Sequence, residues 1–349
     1  MRKIFIAAFL IVPLVCFLGC EEETKRPAPD VSKVLANVQL IRYDAMLMEM
    51  DPDKPESSYL NLLSKYPRMT ELYFKELTRL HSTERDTFYN RIAGFLRDKR
   101  ITSLGDTIKY IFPYDMDMAK ILALPSKYLR YYFPEYGLPE FYALFTEFGY
   151  QTFIFEDKDR RNAIGIGLDY FLGEDFDYKK IDPGNAIFSS YLTRTYTPEY
   201  IPKKVMEMIV IDLVGEPSGK RFIDKMLYQG KKAYILEHLL PETPDSILWE
   251  FTSDQMKWVE DNEQEMWSFF LEKELMYETN HLKVAHYLDP APTSKGMPAN
   301  APGRTAAYSG YKIVKSYMKR NPDISMQELI KLRDSQRFLE ESKYKPPRR

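Results

Sequence analysis

The chain is organised around residues 289–311, which read DPAPTSKGMPANAPGRTAAYSGY. Four prolines and two glycines fall within residues 289–303, so this loop has few backbone options. Tyr308, Tyr311, Val314 and Met318 follow at intervals of three or four, which predicts a helix directly after the loop. A rigid loop that leads into a helix suits a ligand or partner site, because the helix start presents free N–H groups. The alternative is a well-packed connection with no further role.

The loop and its helix carry several side chains suited to binding. We expect Arg304, Tyr308 and Tyr311 to form the wall of a cleft. Ser294 and Lys295 add a hydroxyl group and a cation from the loop itself.

The N-terminus has the pattern of an export signal. A basic start at residues 2–3 precedes an apolar run from Ile4 to Leu18, which is too short to span a membrane. The following Gly19-Cys20 resembles a bacterial lipobox, although Phe17 stands where Leu is usual. We therefore predict a signal peptide over residues 1–19 and a lipid on Cys20, which anchors the protein to a membrane. An ordinary signal peptide with a free cysteine is the alternative.

Composition excludes two classes of protein: one stabilised by disulfides and one that binds nucleic acid through its charge. The only cysteines are Cys16 and Cys20, so the mature chain has no intramolecular disulfide and depends on burial for its stability. The chain has 49 basic and 51 acidic residues, and removal of Arg2 and Lys3 with the signal leaves a net charge of −4. Such a balance excludes a nucleic-acid binder that works through its charge.

The chain has three regions after the signal peptide. Residues 20–30 are charged and poor in apolar side chains, so we expect a flexible tether. Residues 31–150 have mostly helical periodicity, whereas residues 151–155 and 163–168 are typical of strands, the second with Gly165 and Gly167. Helices are predicted over residues 202–214, 220–240, 252–277 and from residue 325 onward. Gly215 is expected to end the first, and Thr252 with Gln255 and Ser325 with Glu328 have the spacing of capping boxes at the start of the last two. The predicted fold is α+β and mostly helical, with residues 31–150 and 151–345 packed as one body.

A search for catalytic or metal-binding motifs finds none. The four histidines have no metal-ligand spacing, and no Gly-x-Ser-x-Gly motif or cysteine nucleophile is present in the mature body. We therefore expect no metal and no cofactor. The carboxylates of Glu263 and Glu265 lie on a predicted helix and could meet Arg304 or Lys295.

Three stretches together resemble the gliding-motility lipoprotein B family (GldB) of Bacteroidetes. The first is residues 289–329, preceded along the chain by NEQEMWSFFLEKELMYET and followed by SKYKP. The second is the lipidated N-terminus, and the third is GIGLDYFLG, from Gly165 to Gly173. The resemblance covers nearly the whole mature chain and is most specific at the loop. It implies a role in gliding motility and the associated type IX secretion machinery, with other envelope proteins of that machinery as partners. It places the anchored protein in the envelope, and we expect the periplasmic face of the outer membrane.

That family is in turn distantly similar to zincin-type zinc peptidases, in which an edge strand precedes a helix with His-Glu-x-x-His and a second helix supplies the third ligand. The resemblance implies a zincin-like arrangement of a small sheet and helices. Residues 206–210 (MEMIV) align with the first motif and Gln229-Gly230 with the third ligand. Glu207 is then retained, while Met206, Val210 and Gln229 replace the ligands and are unsuited to zinc. The same order of elements makes the Gly165 strand the edge strand.

Three functions remain open. The first is a non-catalytic, lipid-anchored protein that binds a protein segment in a peptidase-like cleft between the Gly165 strand and the loop, by strand addition. The second is a hydrolase that uses Glu207 or the carboxylates of Glu263 and Glu265 with Arg304 and Tyr308. The third is a structural brace that contacts other lipoproteins through residues 31–150.

Overall fold

The structure is a computed structural model that describes residues 28–157 and 162–347. The predicted signal peptide, the lipidation site Cys20 and most of the tether lie outside the described residues. Within them, one hydrophobic core includes side chains from Val31 to Phe338. Residues on both sides of position 150 therefore contribute to the same core.

A four-stranded mixed sheet is formed by β1 (Leu40–Arg42), β2 (Glu140–Leu144), β3 (Thr152–Glu156) and β4 (Asn162–Gly167), in the order β1-β2-β4-β3. β2 pairs in parallel with β1 and β4, whereas β3 pairs antiparallel with β4. The two predicted strands are confirmed as β3 and β4. β1 and β2 lie in the region that was predicted as helical: β1 has only three residues, and EFYAL in β2 is a short apolar run without alternation.

β4 is an interior strand, so the expectation that the Gly165 strand lies at the edge is wrong. Both of its sides are paired, and the antiparallel edge strand is β3. A Cβ atom on Gly165 would come within 2.1 Å of the Phe153 ring, and one on Gly167 within 2.1 Å of the Tyr150 carbonyl oxygen. These glycines allow neighbouring groups of β3 and its preceding turn to come close. The pairing of β4 with β2 and β3 leaves it no free edge for another strand.

Helices make up most of the fold, as predicted. The helices before the sheet and between its strands are α1 (Tyr43–Met48), α2 (Pro55–Lys65), α3 (Pro67–Glu71), α4 (Arg85–Arg97), α5 (Lys99–Ile111) and α6 (Ala119–Tyr132). The helices after it are α7 (Ser190–Thr193), α8 (Ile201–Val214), α9 (Phe222–Leu239), α10 (Asp245–Trp249), α11 (Ser253–Asp261), α12 (Glu263–Glu272), α13 (His281–Leu288), α14 (Thr305–Arg320), α15 (Met326–Lys331) and α16 (Ser335–Ser342).

Several helix ends follow the sequence signals. Gly215 ends α8 with a φ of +67°, which favours glycine. The capping boxes predicted at Thr252 and Ser325 are both present, with Gln255 and Glu328 as their partners. α14 follows the proline-rich loop, as predicted, and packs along α9.

One predicted helix is divided. The helix that begins after Thr252 was expected to continue to Tyr277, but α11 ends at Asp261 and α12 begins at Glu263. Asn262 leaves the helical conformation, and its side-chain amide donates to the Trp258 carbonyl oxygen at 2.8 Å. An asparagine that bonds to the backbone in this way competes with helix continuation.

Candidate functional site

A buried cluster of charged side chains lies where α8, the end of α10 and the start of α14 meet. Lys203 and Glu207 are one turn apart on α8, which places them on the same face. Lys203 is only 1% exposed, and its Nζ lies 2.6 Å from Glu207 Oε2 and 2.5 Å from Glu250 Oε1. One buried ammonium group is therefore shared by two carboxylates.

Glu250 and Arg304 complete the cluster from two left-handed backbone positions. Glu250 caps α10 with a φ of +56°, and Arg304 precedes α14 with a φ of +63°. Arg304 Nη1 lies 3.2 Å from Glu250 Oε2 and donates to the Trp249 carbonyl oxygen at 3.1 Å. Lys204 Nζ lies 2.5 Å from Glu250 Oε1. Left-handed residues other than glycine cost about 1–2 kcal/mol each, so these ion pairs help to hold both conformations.

The ion pairs determine the protonation of the two carboxylates. Burial alone would raise the pKa of Glu207, but Lys203 and Lys204 outweigh it and hold that pKa well below its usual range. Burial is likewise outweighed at Glu250, where Arg304, Lys203 and Lys204 hold the pKa far below normal. Both carboxylates are therefore ionised at neutral pH, and Glu207 is a weak base.

A cavity of about 150 Å³ lies beside this cluster, between α8, α9, α10 and α14. Its polar wall includes Glu207, Gln229, Lys232, Glu237, Asp245, Asp289 and Arg304. Its apolar wall includes Val210, Ala233, Leu236, Leu248, Trp249, Leu288 and Ala307. A concave site that combines apolar side chains with polar groups is suited to binding.

A second cavity of about 350 Å³ shares Trp249 and Tyr311 with the first. The Trp249 ring contacts the rings of Tyr308 and Tyr311 edge-on, with centroids 5.1 and 5.3 Å apart. Tyr311 donates its hydroxyl to Glu237 Oε1 at 2.9 Å and accepts from Lys315 Nζ at 2.8 Å. The three rings form a rigid wall between α10 and α14.

The structure brings together some of the predicted site residues. Arg304 and Tyr311 line the first cavity together with Glu207, Val210 and Gln229, which were singled out on separate grounds. Tyr308 lines the second cavity. Met206 is buried and does not line either cavity.

The other predicted residues lie elsewhere. Gly165 and Gly167 are inside the sheet, and neither lines the two cavities. Ser294 is buried within the loop: its Oγ donates to the Pro302 carbonyl oxygen at 2.7 Å and lies 2.7 Å from Thr305 Oγ1. Lys295 is exposed, and its carbonyl oxygen accepts from the Tyr287 hydroxyl. Ser294 and Lys295 therefore fix the loop and do not line either cavity.

Sequence reasoning missed Lys203, Lys232 and Glu250. The sequence did contain a signal for the pair Lys203 and Glu207, because two opposite charges four residues apart lie in the mostly apolar helix IPKKVMEMIVIDLV. Glu250 had none, because its left-handed conformation depends on packing between distant elements.

Met206, Val210 and Gln229, which align with the zinc ligands, do not supply a set of metal-binding atoms. Within residues 28–157 and 162–347, no group of three or more His, Cys, Asp or Glu side chains could hold a metal ion. Gln229 Nε2 instead lies 3.4 Å from Asp289 Oδ1. No helix in the described part of the chain has the length and apolar character needed to cross a membrane.

The fold and the site define a mainly helical α+β protein with a buried charged cluster beside a partly apolar cavity. The family of the gliding motility protein GldB matches residues 24–346, so the chain belongs to this family of gliding motility lipoproteins. No curated protein and no solved structure matches the chain.

Proposed function

We propose that this gliding motility lipoprotein is a non-catalytic component of the gliding and type IX secretion machinery. It is anchored by a lipid on Cys20 to the periplasmic face of the outer membrane. It binds a segment of another envelope protein in the cavity beside Glu207 and Arg304. The observation that carries the binding proposal is this cavity of about 150 Å³, whose wall joins Trp249 and Tyr311 to the charged cluster.

Two features of the site support a binding role over hydrolysis. A general base must accept a proton near neutral pH, and the ion pair with Lys203 holds the pKa of Glu207 far below that range. Glu263 is committed elsewhere: it accepts from the Tyr344 hydroxyl at 2.8 Å and lies 3.1 Å from Lys312 Nζ. These carboxylates fit structural ion pairs better than acid–base catalysis.

The cavity replaces the β4 edge as the binding place in this proposal. A partner segment cannot add as a strand beside Gly165, because β2 and β3 are already paired with the two sides of β4. The wall formed by α8, α9 and α14 is instead suited to side chains of a bound segment.

Arg304 is a poor probe of this function. Replacement by alanine would remove a cavity group and would also leave the buried Glu250 with fewer counter-ions. Loss of gliding in such a variant would not separate binding from folding.

Ala233→Phe is a sharper test. Ala233 lines the cavity, and a cavity of about 150 Å³ admits a benzene ring, so the new side chain fills the space without removing a charge. The control is Ala299→Phe, the same change on an exposed loop position. We expect Ala233→Phe cells to lose gliding with a normal level of folded lipoprotein, and Ala299→Phe cells to glide. Normal gliding of the Ala233→Phe cells would refute the proposed binding place.

A further inference from the structure

The first cavity borders a group of cations beside Glu207. Among the described residues, Lys203, Lys204 and Arg304 lie within ion-pair distance of Glu207 or Glu250, Arg194 donates to the Glu250 backbone carbonyl oxygen, and Lys232 interacts with Glu207 over a longer distance. Asp289, Glu237 and Asp245 also line the cavity. Asp289 is already 3.4 Å from Gln229 Nε2 and 3.7 Å from His281 Nε2. A buried cation without a carboxylate at contact distance is costly, and an anion offsets that cost.

Of the two cations that line the cavity, Lys232 is the one without a carboxylate at ion-pair distance among the described residues. No carboxylate of the described residues lies within ion-pair distance of its Nζ, although the side chain is half-buried and lines the cavity. Its Nζ stands 4.8 Å from the centre of the Tyr228 ring, a contact that compensates only partly for lost hydration. Burial lowers the pKa of Lys232, with Arg304 and Lys203 acting in the same direction and the more distant carboxylates of Glu207 and Asp289 against it.

The other residues of the cavity wall indicate which kind of group would carry such an anion. Val210, Leu236, Leu248 and Trp249 offer an apolar surface next to Lys232. The acidic groups Glu237 and Asp245 lie where the two cavities meet. Glu237 is engaged by Tyr311 and Lys315.

We propose that Lys232 binds a carboxylate of the partner segment, with the positive charge of Arg304 in support, while an apolar part of the segment packs against Leu236 and Trp249. This inference rests on the proposed partner site and names the chemistry that the site selects. The carboxylate comes either from the C-terminus of a chain or from an acidic side chain, and both offer the same group to Lys232.

Small probes test the carboxylate directly on the full mature chain purified in detergent. Isothermal titration would compare N-acetyl-leucine, N-acetyl-leucinamide and the α-amide of N-acetyl-glutamic acid. We expect a carboxylate probe to bind about tenfold or more tightly than N-acetyl-leucinamide, because a hydrogen bond to a charged group is lost in the amide. Binding of N-acetyl-leucine identifies a C-terminal carboxylate, and preference for the glutamic acid derivative identifies a side chain.

The variant Lys232→Met should weaken binding of the carboxylate probe by about tenfold or more. The control Lys257→Met removes a lysine that is 77% exposed on α11 and should leave binding unchanged. Lys232→Met should also unfold at the same or a higher temperature, because it removes a half-buried charge without an acidic partner. A lysine with only a structural role would give a lower unfolding temperature.

A second readout does not depend on a variant. Acylation of Lys232 in the wild-type chain, followed by mass spectrometry, should slow several-fold in the presence of the carboxylate probe and remain unchanged with the amide. Equal affinity for acid and amide, no binding of any probe, or unchanged binding in Lys232→Met would overturn the inference. The gliding result for Ala233→Phe decides the proposed function independently of these outcomes.

Discussion

Gly230 of α9 lies directly against Gly310 of α14: a Cβ atom on Gly230 would come within 2.3 Å of the Gly310 carbonyl carbon. A Cβ on Gly310 would likewise come within 2.1 Å of the Met226 carbonyl oxygen. The two helices therefore touch backbone to backbone. This close crossing sets the position of Gln229 and Lys232 on one side of the cavity and of Ala307 and Tyr311 on the other.

Gly230→Ala tests the crossing. Alanine at a helix interior normally stabilises by about 1 kcal/mol relative to glycine. Here the methyl group would force the backbones apart, and we expect a net loss of about 1–3 kcal/mol in the free energy of unfolding. Chemical denaturation measures the change. Gly94→Ala in α4 is the control, because nothing lies within 4 Å of the added methyl group, and it should be neutral or stabilising. Equal effects of the two variants would contradict the close crossing.

Glu250→Gln tests the buried charged cluster. The change leaves Lys203 with Glu207 as its remaining ion-pair partner in the cluster, and it weakens the hold on Arg304. We expect a loss of about 3 kcal/mol in the free energy of unfolding, as for other buried pairs that lose one partner. Glu260→Gln, at an exposed position of α11, should change stability by less than about 0.5 kcal/mol. A Glu250→Gln protein as stable as this control would show that the cluster is energetically neutral.

Ser294→Ala tests the closure of the proline-rich loop. The Ser294 hydroxyl is buried and bonds to the Pro302 carbonyl oxygen and to Thr305. Its loss leaves the Thr305 hydroxyl with one partner fewer, and we expect destabilisation of about 1–3 kcal/mol. Thr293→Ala, one residue earlier and exposed, should have little effect on the unfolding temperature. If the two variants unfold at the same temperature, the loop does not depend on this hydroxyl.

The pH dependence of stability has an identifiable source in Asp169. This carboxyl group is fully buried, and burial raises its pKa from 3.8 to about 6, although the backbone N–H groups of Phe148 and Thr146 oppose the shift. Because the folded protein holds this proton more tightly than the unfolded chain, the contribution to stability is complete below pH 3.8 and is lost as the pH rises through about 6.

The corresponding experiment compares the wild type with Asp169→Asn across that range. Relative to the variant, the wild type should lose about 3 kcal/mol of stability between pH 3 and pH 7, at about 1.36 kcal/mol for each unit of pKa difference. Denaturant titrations at a series of pH values measure the difference. Parallel stability curves for the two proteins would assign the pH dependence to another group.

Local sequence signals predicted the helix ends well. Gly215 and the capping boxes at Thr252 and Ser325 act through residues three or four apart, so the signal is complete within one short segment. The division at Asn262 was missed because a side-chain bond to the Trp258 carbonyl oxygen competes with the helix there. β1 was missed because its three residues are too few to show the alternation of apolar and polar side chains that predicts a strand.

The site was predictable only in part, for a physical reason. Arg304 and Tyr311 follow a distinctive loop and were identified from it. Lys232 and Glu250 acquire their roles from the packing of α9 and α10 against α14, which lies far from both along the chain. The placement of Gly165 at an edge failed because strand order depends on β2, whose pairing the sequence pattern did not reveal.

The most direct measurement is photo-crosslinking in gliding cells, with a photoreactive amino acid in place of Asp245, an exposed residue that lines both cavities. The control position is Tyr110 on α5, which is 87% exposed and lines neither cavity. The proposed function predicts one defined adduct with an envelope protein from position 245, none from position 110, and loss of the adduct when Ala233→Phe is added. No adduct from position 245, or one that Ala233→Phe leaves unchanged, would contradict binding in the cavity.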